Sequence, residues 1–117
     1  MNFHGGNPEE YRGLDSHLWS IYHNDMNNIC SCLHVVDEKL DNGKIIFKKK
    51  INLSKNDELH KLQIKNTKIC VKIFFSYLNL LKRKKKIKLI SQKKIGRYYS
   101  AMPTYLKSIC LKKFNKK

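Results

Sequence analysis

The chain has 117 residues, a mass of 13.9 kDa, a formal net charge of +16 and 41% hydrophobic residues. That size allows one domain and argues against a multidomain enzyme, a polytopic membrane protein or a collagen-like chain. A self-sufficient pocket enzyme is also disfavoured, because a chain this short buries only roughly two-thirds of its unfolded surface.

The charge is unevenly spread. Met1 to Asp41 holds seven acids against Arg12 and Lys39, whereas Asn42 to Lys117 holds only Asp57 and Glu58 against 23 bases. Met1-Asn2-Phe3-His4-Gly5-Gly6 has neither a charged start nor an apolar stretch, so secretion is not expected and the four cysteines should be reduced.

Residues 1–43 read as an acidic amphipathic helix. Asn7-Pro8-Glu9-Glu10 has the features of a helix start: a capping side chain, a proline suited to the first position, and carboxylates at the positive end of the dipole. Apolar side chains follow at Tyr11, Leu14, Leu18, Tyr22, Met26, Ile29, Leu33, Val36 and Leu40, in steps of three and four. Asp41-Asn42-Gly43 supplies the stop. Such a helix, roughly 50 Å long, needs a partner helix or a second copy to cover its stripe. Gly13 weakens the pattern by about 1 kcal/mol.

Residues 44–53 read as a basic linker or a short strand pair, with Lys44-Ile45-Ile46-Phe47 and Ile51-Asn52-Leu53 flanking three lysines. Residues 54–88 read as a second, mostly apolar helix whose polar stripe is Lys65, Lys68, Lys72, Ser76, Asn79 and Arg83. It should be buried against the first helix as a hairpin. Its end carries Lys82, Arg83, Lys84, Lys85, Lys86 and Lys88, a run suited to nuclear import or to phosphate attraction on nucleic acid. Residues 89–117 read as a basic, partly disordered tail. The longest apolar stretch, Ile69 to Leu81, is interrupted by Lys72 and too short to span a bilayer.

Candidate chemistry is thin on this reading. Cys30 and His34, four apart, would share one helix face and could meet a metal ion only with further ligands from Cys70, Cys110 or another chain, so buried reduced thiols are expected instead. His17, His23 and His60 lack a nucleophile elbow, a phosphate loop or a metalloprotease motif around them. No catalysis and no cofactor are expected.

Leu14-Asp15-Ser16-His17-Leu18, followed by Asp25-Met26, Ile29 and Leu33, resembles a coiled-coil helix from the C-terminal region of central-channel nucleoporins. The resemblance implies a partner-facing stripe at Leu14, Leu18, Met26, Ile29 and Leu33 and a place at the nuclear pore. The combined expectation is an all-α, non-catalytic interaction subunit, nuclear or at the nuclear envelope. The alternative is a nucleic-acid-binding protein working through its Lys-rich half.

Overall fold

The computed structural model describes residues 1–117 and is mixed α/β. Three strands form an antiparallel sheet in the order β1 (Asn2–Gly5), β3 (Cys30–His34), β4 (Ile45–Lys50). A second, two-stranded sheet pairs β2 (Tyr11–Gly13) in parallel with β5 (Arg97–Tyr99). The helices are α1 (Ser16–Tyr22), α2 (Leu62–Lys82) and α3 (Thr104–Asn115).

The all-α expectation is overturned, and the long first helix with it. Where one helix was expected, the chain makes β1, β2, α1, a 3₁₀ turn at Met26–Asn28 and β3. The reasons are local. Asn24 sits at φ 58°, ending α1 after seven residues. The turn-forming Asn24-Asp25-Met26-Asn27-Asn28 then redirects the chain. β3 shows no alternation because all five of its residues are buried, as in a central strand covered on both faces.

On one face of the sheet, Leu33 and Ile46 pack under Ile73 of α2, with Ile69 and Tyr77 beside them. The second core gathers Ile21 of α1, Ile29, Ile51, Leu62, Met102 and the α3 residues Cys110 and Phe114. The C-terminal segment is therefore ordered structure rather than a partly disordered tail. α2 does not form a hairpin with a first helix. It lies on β3, and Val71, Phe74, Phe75 and Leu78 remain exposed.

The apolar stripe is dispersed by this fold. Tyr11 is buried in β2, Leu18 and Tyr22 are half-buried on α1, and Met26 lies in the 3₁₀ turn. Ile29 and Leu33 enter the two different cores, while Leu14, Val36 and Leu40 are exposed. Lys82 ends α2, and Arg83, Lys84, Lys85, Lys86 and Lys88 follow it on an exposed segment. No helix is long and apolar enough to cross a membrane.

Candidate functional site

Strand periodicity assembles the site. Asn2 and His4 are two residues apart on β1, so their side chains project from the same face of the sheet. The ladder sets them opposite His34 and Cys32 of β3. The turn after β3 brings back Asp41, a buried carboxylate on a left-handed residue with φ 52°. A non-glycine residue is uncommon in that conformation.

Asp41 joins three elements. Its Oδ2 lies 3.4 Å from His4 Nδ1 and accepts the Gly13 N–H at 3.0 Å, while Oδ1 lies 3.3 Å from His34 Nε2. A buried carboxylate is tolerated only with such partners. Gly13 reaches it because its backbone has φ 93°, and a Cβ there would stand 2.1 Å from the Tyr99 carbonyl oxygen. On the far side of His34, Nδ1 is 2.9 Å from the Val35 carbonyl oxygen.

The His4 ring is oriented by acceptors. Nε2 is 2.7 Å from the Tyr11 carbonyl oxygen and 3.3 Å from Ser16 Oγ. A carbonyl oxygen only accepts, so Nε2 carries a hydrogen and donates it to Tyr11. Burial holds the His4 imidazole below its ordinary value of 6.5, against the opposing pull of the Asp41 carboxylate. At neutral pH the ring is therefore neutral, with the lone pair of Nδ1 beside Asp41. A proton arriving at Nδ1 turns this contact into a hydrogen-bonded ion pair.

These groups line a cavity of about 630 Å³. Asn2, His4 and Asp41 are among its polar lining, together with His17, His60 and Asn66, and Leu14, Leu40 and Tyr98 are among its apolar lining. Its size is that of a small-molecule site, and 7 of its 18 lining residues are hydrophobic, with most of the others polar. His17, also on the lining, has Nε2 2.7 Å from the Cys30 carbonyl oxygen, and burial likewise lowers its imidazole.

Most of the chain superposes on solved formyltransferases. It is similar to the formyltransferase PseJ from Anoxybacillus kamchatkensis, solved with UDP-4,6-dideoxy-4-formamido-L-AltNAc and tetrahydrofolate. The identity is 30% and the TM-score 0.73, over 85% of this chain and 51% of that one. A 4-N formyltransferase from Francisella tularensis gives 21% identity and a TM-score of 0.75, over 97% of this chain and 51% of that one. HypX from Aquifex aeolicus, solved with tetrahydrofolic acid, gives 19% identity and a TM-score of 0.70, over 89% of this chain and 18% of that one. The fold is shared with formyltransferases. This chain spans about half the length of the first two neighbours. No protein-family model and no curated protein matches it by sequence.

The shared fold overturns the nucleoporin resemblance: Leu14-Asp15-Ser16-His17-Leu18 crosses from a loop into the short α1. The nuclear placement loses its basis with it, as do the non-catalytic coiled-coil reading and its nucleic-acid alternative. Cys30 and His34 lie two steps apart on a strand rather than one helical turn apart. His23 and His60 are exposed, and of the three histidines first considered only His17 is buried near Asp41. Asn2, His4, His34 and Asp41 went unrecognised as a group. The Asn2-Phe3-His4 spacing, one strand face followed by Gly5-Gly6, is the signal that points to two of them.

Proposed function

We propose that this chain carries the transfer centre of an N-formyltransferase, passing a formyl group from a formylated tetrahydrofolate to an amine. The observation that carries the reading is the buried pairing of His4 with Asp41 beside Asn2 on one wall of the cavity. The fold shared with formyltransferases solved with tetrahydrofolate or folinic acid supports it.

The cavity fits such a donor. Its apolar lining residues Leu14, Leu40 and Tyr98 suit a flat ring system, and its polar ones suit a carbonyl and an amine. When bound, the folate supplies an activated formyl carbon. His4 and Asp41 handle the proton. With Nε2–H held by Tyr11, the proton released by the attacking amine goes to Nδ1, where Asp41 stabilises the imidazolium, and is later returned to the leaving nitrogen. The Asn2 amide, on the same strand face, donates to the formyl oxygen as negative charge develops there.

Folinic acid is the probe that tests this. Titrating it into the ¹⁵N-labelled chain should move the amide signals of His4, Gly13, Asp41 and Tyr98 and leave those of Lys82 to Lys86 in place. A spectrum that stays unchanged at millimolar folinic acid overturns the assignment.

A further inference from the structure

Gln92 lies 51 residues beyond Asp41 in sequence, yet it touches the turn that carries this carboxylate. Its Nε2 donates to the Asp41 carbonyl oxygen at 2.7 Å and to the Gly43 carbonyl oxygen at 3.0 Å. Both partners only accept, so the amide has one permitted orientation: its two N–H groups point into the turn. The same orientation leaves Oε1 buried without a hydrogen-bond partner. Leaving a buried acceptor unpaired costs stability, so the side chain is placed for its donors and not for full satisfaction.

The turn it holds is strained and tightly seated. Asp41 has φ 52°, and a Cβ on Gly43 would stand 1.5 Å from the Val35 carbonyl oxygen. Two residues before Gln92, Ile90 exchanges backbone hydrogen bonds with Ile45 at 2.7 and 2.9 Å, anchoring the segment to the start of β4. From this geometry we infer that Gln92 is a positioning residue, which keeps the Asp41 carboxylate against His4 by tying down the 41–43 turn.

This rests on the formyl-transfer reading only in taking His4 and Asp41 as the proton-handling pair. Gln92 has no charge and acts on His4 through Asp41. The groups that face these two are known from each packed element: His34 from β3, the Gly13 amide and Tyr11 carbonyl from β2, and Ser16 from α1. His17 of α1 feels the His4 charge as well. None of these is altered by changing Gln92.

The test is the titration of His4 in the full chain, followed by NMR of ¹⁵N-labelled imidazoles without donor or acceptor. Gln92→Met keeps the side-chain length and removes both donors. Asp41 raises the affinity of His4 for its proton, so release of the turn should lower the His4 midpoint, by about half a unit or more. The rate of formyl transfer should fall about tenfold or more. Ile73→Ala, which opens the core between α2 and the three-stranded sheet and leaves both Gln92 contacts in place, should lower the melting temperature and leave the midpoint where it is. An unmoved midpoint in folded Gln92→Met overturns the inference, as does an equal shift in Ile73→Ala. Should Gln92→Met fail to fold, Gln92→Asn, one methylene short of both carbonyls, carries the same expectation and the same refutation. A chain that transfers no formyl group yet shows the His4 shift refutes the reaction and keeps the positioning role.

Discussion

His4 and His17 both sit under 10% exposed, and in each the neutral ring is favoured because burial disfavours charge. Their folded midpoints lie below the ordinary 6.5, so near that pH the unfolded chain binds more protons than the folded one. The stability they confer is complete above about pH 6.5 and is lost as pH falls through their lowered midpoints. Thermal unfolding from pH 8 to pH 5 should show the melting temperature falling below about pH 6.5, with a shallower fall in His17→Gln. A profile flat across that range contradicts the burial argument. Glu9 and Asp57 are held low by Lys93 and Lys65 contacts, so their losses come at more acid pH. Only part of this site was legible from residue identities. Asn2 and His4 share a face once a strand is assumed, but nothing in the local sequence announces Asp41 as their partner. It reaches them through the β1–β3 ladder and a left-handed turn, which are tertiary facts.

At the scale of elements, the misreading of the first 43 residues has one physical source. Steps of three and four among apolar residues also arise when short elements of different type follow one another, each burying its own side chains. Tyr11 belongs to a strand, Leu18 and Tyr22 to about two turns of helix, and Leu33 to a strand whose residues are all buried. The turn formers Gly13 and Asn24-Asp25 were present and outweighed the periodicity. α2 is different: a long apolar run without Gly or Pro is helical by local preference. Its exposed Phe75 shows that composition alone does not say which face is covered. Gly13 gives the sharpest test of the smaller sheet. A Cβ there meets the Tyr99 carbonyl oxygen at 2.1 Å and the Tyr98 ring at 3.0 Å, on a backbone of φ 93°. Gly13→Ala should therefore cost more than about 2 kcal/mol in urea unfolding. It should also separate β2 from β5, seen as faster exchange of the Leu14 amide, which now donates to Tyr99 at 2.9 Å. A loss under about 0.5 kcal/mol would show that the sheet is not held there.

Across the whole molecule, the acidic and basic halves are one structure. The Met102 N–H donates to Asp15 Oδ2 at 2.8 Å, Trp19 Nε1 donates to the Ser100 carbonyl oxygen at 2.9 Å, and Phe114 shares a core with Ile21. Glu9 and Glu10 meet Lys48 and Lys94. The uneven spread of charge along the sequence is thus partly a pairing across the fold. This closure shapes the cavity: Tyr98, from the basic half, lines it together with His4 from β1. The central claim is that His4 and Asp41 act as one unit, and a double-mutant cycle on formyl transfer to an amine tests it most directly. His4→Ala and Asp41→Ala should each lower the rate by about 10²–10⁴-fold. Because Asp41 works through His4, the double variant should be no slower than His4→Ala alone. Losses that multiply in the double variant, or a wild-type chain that transfers no formyl group, would contradict it.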